Sequence, residues 1–178
     1  LTRSQAWVDL ARGACEGALG IDPALGEAHG CLGMVLTGTG EYEKAASEYS
    51  IALAAEPTND AFYSGLAAAY ERLGRANDAE QAYRRAIELR PHYWAGYNRL
   101  GAYYYNAGRY DDAIRMFEQV IALAPDGLRG YSSLGAAYFS TDRTTEAIAA
   151  FERSLAIRPN YAAASNFGTL LYYDAQYR

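Results

Sequence analysis

All five prolines of the 178-residue chain, Pro23, Pro57, Pro91, Pro125 and Pro159, are spaced 34 residues apart. A strict period between 20 and 50 residues marks stacked supersecondary units, each able to bury its apolar face only against its neighbours. Other columns keep the same period. Leu32, Leu66, Leu100 and Leu134 align, followed by Gly33, Ala67, Gly101 and Gly135. Three places further on stand Leu36, Tyr70, Tyr104 and Tyr138. Ala45, Ala79, Ala113 and Ala147 form another column, and Tyr49, Tyr83, Phe117 and Phe151 the next.

Within each unit the apolar and small positions recur at steps of three and four, which is one face of a helix. A break follows at T-G-E-Y, L-G-R-A, A-G-R-Y and T-D-R-T. Gly40, Gly74 and Gly108 stand where a helix ends in the left-handed conformation, and Asp142 is a tolerated substitute. Acidic residues beyond the break (Glu43, Asp78, Asp111, Asp112 and Glu146) suit the positive end of a second helix. That helix runs to the proline, which cannot continue it. Each unit is therefore predicted to be a helix–turn–helix hairpin. The small residues at 33, 67, 101 and 135 are expected to face the alanines at 45, 79, 113 and 147, with aromatics in the wider gaps beside them.

These columns resemble the tetratricopeptide repeat, whose pattern is W-x2-L-G-x2-Y, then A-x3-F, a late alanine and a closing proline. The unit from Trp94 matches through Tyr97, Leu100, Gly101, Tyr104, Ala113, Phe117 and Pro125. The next matches through Tyr131, Leu134, Gly135, Tyr138, Ala147, Phe151 and Pro159. His29 departs from the pattern by replacing the first aromatic, and Val120 and Ser154 by replacing the late alanine. The resemblance implies an all-α fold: an α-solenoid of antiparallel helix hairpins, wound as a right-handed superhelix of about ten helices. It places full repeats at 26–59, 60–93, 94–127 and 128–160 in a single array. Residues 1–25 hold a half repeat with only its second helix, and 161–178 one with only its first, the trailing A-Q-Y-R entering a turn. Neither end carries a polar cap, so the chain reads as a window from a longer protein.

Composition narrows the function. A net charge of −5 argues against a nucleic-acid partner, which requires a basic surface. No stretch approaches the ~18 uninterrupted apolar residues needed to insert in a membrane. Phosphate loops, G-x-S-x-G, H-E-x-x-H and paired-cysteine patterns do not occur, so no catalytic residue, cofactor or metal is assigned. The pair Asp111–Asp112 reads as helix-start charge. His29 and His92 have no evident orienting partner and read as structural or solvated. Cys15 and Cys31 show no metal-ligand spacing and read as reduced structural thiols, which leaves the compartment open.

Eleven of the 17 tyrosines belong to the columns or close the turns (Tyr42, Tyr110 and Tyr177). Tyr93, Tyr103, Tyr105, Tyr161, Tyr172 and Tyr173 are left over. Tyr103 points toward a neighbouring hairpin, and Tyr93 and Tyr161 follow prolines in loops. In the family's superhelix the first-helix face turned away from its partner helix lines a concave groove. The resemblance thus implies a candidate peptide-binding groove of Arg72, Asn98, Arg99, Tyr105, Asn106, Arg129, Phe139, Asn166 and Tyr172, with Glu71, Ser132, Ser133 and Tyr173 beside them. The first full unit offers Glu27, Gly30, Cys31, Met34, Thr37 and Gly38 instead. Aromatic and arginine anchors among small neighbours give large contact area and planar donors at little entropic cost. The asparagine, lysine and arginine set with which some relatives grip a terminal carboxylate does not assemble here.

The function implied is a non-catalytic scaffold that binds a peptide or helix of a partner protein. The alternative is a regulatory or substrate-docking arm of a multidomain enzyme, such as a bacterial kinase or glycosyltransferase, with its catalytic domain outside this chain. A third reading is end-to-end self-association through Trp7/Leu10 and Phe167/Leu171.

Overall fold

The structure, a computed structural model, describes residues 3–159 and 161–177, with the side chains at 3, 4, 162, 173, 174, 176 and 177 excepted. The positions expected for the Tyr173 and Tyr177 side chains therefore lie outside the described residues. Ten helices follow one another: α1 (Arg3–Ile21), α2 (Gly26–Thr39), α3 (Tyr42–Ala55), α4 (Asp60–Arg72), α5 (Ala76–Leu89), α6 (Trp94–Asn106), α7 (Tyr110–Leu123), α8 (Leu128–Phe139), α9 (Thr144–Ile157) and α10 (Tyr161–Tyr177). No strand occurs among the described residues. The fold is the expected all-α solenoid of antiparallel hairpins, α2/α3, α4/α5, α6/α7 and α8/α9. Two compact units divide it, Leu1–Arg90 and Pro91–Arg178.

Each hairpin turns on a left-handed residue. Gly40, Gly74 and Gly108 have φ of 83°, 72° and 72°, and Asp142 has 58°. The next backbone N–H reaches back to the last helical turn, from Glu41 to the Leu36 carbonyl, Arg75 to Tyr70, Arg109 to Tyr104 and Arg143 to Tyr138. That bond satisfies carbonyls the helix itself leaves orphaned. The turn arginines then fold back over the tyrosine rings, 4.2 Å from Tyr70, 4.3 Å from Tyr104 and 4.2 Å from Tyr138. Each also pairs with an acid three residues on: Asp78, Asp112 and Glu146. In the first hairpin the charge is inverted. Glu41 occupies the arginine's place, and hydrogen bonds from Lys44, Arg12 and Thr39 hold its carboxyl down to about 2.

The glycines of the small column lie beneath aromatic rings. A Cβ at Gly101 would lie 2.6 Å from the Phe117 ring, and at Gly135 2.8 Å from that of Phe151. Tyr49 sits on Gly33 in the same way and also on Gly65 of the following hairpin, 16 residues further on. The same two positions meet at either end of the chain. Phe151 packs on Phe167 with ring centroids 6.2 Å apart. Cys15 is joined to Cys31 by a disulfide, with Cα atoms 5.9 Å apart.

Three expectations are corrected. Cys15 and Cys31 are not reduced thiols: cysteines occupy both positions that touch between α1 and α2, at a separation a disulfide bridges. His29 has two partners, Glu48 and the Pro23 carbonyl, and is buried between them. The segment A-Q-Y-R does not enter a turn, because α10 continues through Tyr177. No glycine or aspartate stands there to take the left-handed conformation that ends the other first helices.

Candidate functional site

Of the nine groove candidates, Arg72 belongs to the first unit and the other eight to the second. Arg72 is exposed at the end of α4, where its Nε donates to the Tyr42 hydroxyl at 3.1 Å and its guanidinium lies over that ring. Glu71 beside it accepts a hydrogen bond from Tyr83. Three of the six other first-unit groove positions are taken up, while Glu27, Met34 and Gly38 are exposed. Gly30 is buried beneath the Phe62 ring, Cys31 is in the disulfide, and Thr37 bonds back to the Gly33 carbonyl. Met34 stays 68% exposed.

The second unit builds a more coherent face. α6 and α8 lie parallel, tied at both ends. At their N-terminal ends the Arg129 guanidinium lies 5.7 Å from the Trp94 ring centroid. At the other, the hydroxyls of Tyr105 and Ser140 are 3.1 Å apart. The Tyr105 ring also meets Tyr110 edge-on at 5.4 Å, which fixes its orientation. Between these ends Arg99 is exposed and Asn98 half-buried, and Asn106, just beyond Tyr105, is exposed. Phe139 is half-buried too and packs against the core formed by Ala147, Phe151, Ala163 and Leu170, leaving only part of its ring available. On α10, Asn166 is exposed and Tyr172 is 61% exposed.

Two side chains near this face point inward instead. Ser132 bonds Ser154 at 2.6 Å, and Ser154 also donates to the Leu128 carbonyl, so a polar residue in the late-alanine column is satisfied. Asn98 holds the equivalent place on α6, but its counterpart across the hairpin is Val120, which has no donor. Its Oδ1 is buried without a hydrogen-bond partner. Of the leftover tyrosines, Tyr103 is buried, while Tyr93 is 40% and Tyr161 88% exposed.

The sequence reading missed Trp94 and Ser140 as the residues that close the two ends of the α6/α8 face. The missed signal was register: each stands 35 residues from the candidate it touches, one more than the repeat. Beside Arg129 a cavity of about 480 Å³ is walled by Trp94, Val120, Leu128 and Ile157, with Asp126 and Arg158 also in its lining. Among the described residues no cluster of three or more His, Cys, Asp or Glu side chains could hold a metal, and no helix is long and apolar enough to cross a membrane.

Comparison with known proteins agrees with the fold. Residues 32–93 and 98–162, well over half of the chain, match the family model described as Tetratricopeptide repeat. Among solved structures the chain is similar to MamA, with 28% identity over 87% of this chain and 91% of that one and a TM-score of 0.74. It is also similar to TTC0263, a thermophilic TPR protein of Thermus thermophilus, with 24% identity over 95% and 93% and a TM-score of 0.77. A third likeness is to YrrB, described as a TPR protein with an unusual peptide-binding site, with 21% identity over 93% and 86% and a TM-score of 0.71. No curated protein matches it. Arrays of this kind serve generally as protein-interaction scaffolds rather than catalysts. The chain belongs to the tetratricopeptide repeat family.

Proposed function

We propose that this protein is a non-catalytic scaffold that holds a segment of a partner protein along the face of α6 and α8. Tyr105 and Phe139 are the apolar anchors, Arg99 and Arg129 the polar ones, with Asn106 beside them, while Asn98 turns inward. Asn166 and Tyr172 on α10 extend the same surface, and Arg72 is its first-unit counterpart. The observation that carries the reading is a pair of parallel helices, tied by Trp94–Arg129 at one end and Tyr105–Ser140 at the other, with Arg99 and Arg129 exposed along them. An aromatic whose orientation is set before binding loses little entropy on complex formation, which is why such residues dominate binding energy.

The test is a displayed peptide library selected on the wild-type protein, followed by titration of the enriched peptides. Arg99→Ala with Tyr105→Ala is expected to weaken them about tenfold or more, as the loss of two anchors does. Arg84→Ala, an exposed residue of the first unit, should leave them unchanged. Peptides bound equally well by all three proteins would show that this face is not the site.

A further inference from the structure

Charge in the second unit is sorted by helix. α7 and α9 carry Asp111, Asp112, Glu118, Glu146 and Glu152 against Arg115 and Arg153. α6 and α8 carry Arg99 and Arg129 with no aspartate or glutamate, although the chain as a whole stands at −5. Other arginines of the unit are engaged nearby. Arg109 and Arg115 pair with Asp112, Arg143 pairs with Glu146, and Arg153 lies over the Tyr131 ring. Arg99 and Arg129 form no ion pair among the described residues; Arg129 is held instead by the Trp94 ring.

An arginine fork that finds no carboxylate in its own protein remains a planar, bidentate donor for one from outside. The surroundings of Arg129 reinforce that preference. The cavity beside it includes the start of α8, whose N-cap residue Gly127 has no side chain with which to cap the first backbone N–H groups. Among the described residues of the lining, Asp126 is the one acid, against Arg129 and Arg158.

We infer that the partner segment held on this face is acidic, with aspartate or glutamate side chains on Arg99 and Arg129; this rests on the groove reading above. Two guanidiniums on two different helices call for two carboxylates. A chain terminus alone provides one, whereas acidic side chains within a segment provide both. From Trp94 to Tyr105 the face extends about 17 Å at ~1.5 Å per helical residue. That is the reach of about five extended residues. The fitting segment therefore places its acids toward the Arg129 end and an apolar residue toward Tyr105 and Phe139.

The experiment selects short internal segments, fused at both ends, from a displayed library, and then measures synthetic versions with amidated C-termini by fluorescence anisotropy. The enriched segments should be rich in Asp and Glu, weaken as salt is raised, and lose about tenfold or more in affinity to R99E/R129E. Both arginines are exposed, and circular dichroism of the variant should be unchanged. Neutral or basic segments that still depend on Tyr105 would overturn the acidic assignment and leave the groove standing. Binding that appears only with a free terminal carboxylate would also overturn it, by assigning the arginines to a chain end. Segments indifferent to both Tyr105→Ala and R99E/R129E, or a selection that enriches nothing, would overturn the groove and the acidic partner together.

Discussion

The Nδ1 of His29 lies 2.6 Å from a carboxylate oxygen of Glu48, while its Nε2 donates to the Pro23 carbonyl at 3.0 Å. Two oxygen acceptors facing the two ring nitrogens favour the imidazolium form of the side chain. Two hairpins further on, the Tyr97 hydroxyl donates to the Pro91 carbonyl at 3.1 Å, also six residues back. Histidine thus takes over the bond made by a column tyrosine, and Glu48 balances the charge that comes with it.

The consequence is a pH dependence of known sign. The hydrogen bond to Glu48 is the main influence raising the His29 pKa; desolvation opposes it and the Pro23 carbonyl adds to it. Below the unfolded value of about 6.5 both states hold the proton, and the stabilisation is complete. It is lost as pH rises through the higher folded value. Wild-type melting temperature should therefore fall as pH is raised from about 6.5 through that folded value, by about 2–4 °C for each kcal/mol. His29→Tyr with Glu48→Ala installs residues found at the equivalent positions of the hairpin at 60–93. That double variant should melt at a nearly constant temperature across the range. An equal slope in both proteins would remove His29 as the cause.

Reduction should release α1 before anything else. Cys15 is its only buried side chain among those described, and Arg12–Glu41 is a partly exposed tie to the next turn. A disulfide across 16 residues is worth about 3 kcal/mol in the chain-entropy account. Hydrogen exchange with and without a reductant would show it: α1 amides lose protection while those of α3 to α5 keep theirs. Unchanged protection in α1 would mean that packing, not the covalent link, holds the helix.

Two helical glycines should respond to alanine in opposite directions. At Gly101 a methyl group would meet the Phe117 ring, which is 2% exposed and has no room to retreat. Gly101→Ala should cost about 1–3 kcal/mol as an overpacked core. At Gly168 nothing lies within 4 Å, so Gly168→Ala should gain up to about 1 kcal/mol of helix propensity. Urea denaturation of the two variants decides, and a shift of the same sign in both would contradict the packing described for Gly101.

The turn arginines form a motif that recurs in three hairpins. Each stacks on a tyrosine and pairs with an acid, but all three are largely solvated, which limits their individual worth. Replacing Arg75, Arg109 and Arg143 by lysine keeps the charge and removes the planar stacking group. The triple variant should be less stable than wild type, with losses that add because the turns are separate. A chemical-denaturation midpoint equal to wild type would show the stacking to be energetically neutral.

How much of this was legible from sequence follows from which interactions are local. The pitch, the hairpins and the left-handed residues at 40, 74, 108 and 142 follow from residue types acting on their own backbone. The pairs Cys15–Cys31, His29–Glu48 and Ser132–Ser154 join different helices, and a column identifies a face without saying which side chain fills it. Once the pitch is known, the offset of 16 that puts Tyr49 on Gly65 also puts Cys15 on Cys31. For the candidate site, the face could be read but not its occupancy. Gly30 disappears beneath Phe62 and Ser132 turns toward Ser154, because neighbouring side chains, not register, decide those outcomes.

Asn98 shows what happens when one such pair is incomplete. Ser132 finds Ser154 across its hairpin, whereas the residue equivalent to Ser154 opposite Asn98 is Val120, buried and apolar. A buried acceptor left without a partner costs about 1–3 kcal/mol. Asn98→Ala should therefore be neutral or stabilising by about 1 kcal/mol, unusual for a half-buried residue. Val120→Ser should be destabilising in the Asn98→Ala background and much less so with Asn98 present, because the new hydroxyl can donate to Oδ1. Equilibrium unfolding of the wild type, the two single variants and the double variant gives the coupling between the two positions. It is expected to favour Asn98 together with the introduced hydroxyl by about 1 kcal/mol. A coupling of zero, with Asn98→Ala clearly destabilising, would show that the Asn98 amide is already satisfied in solution.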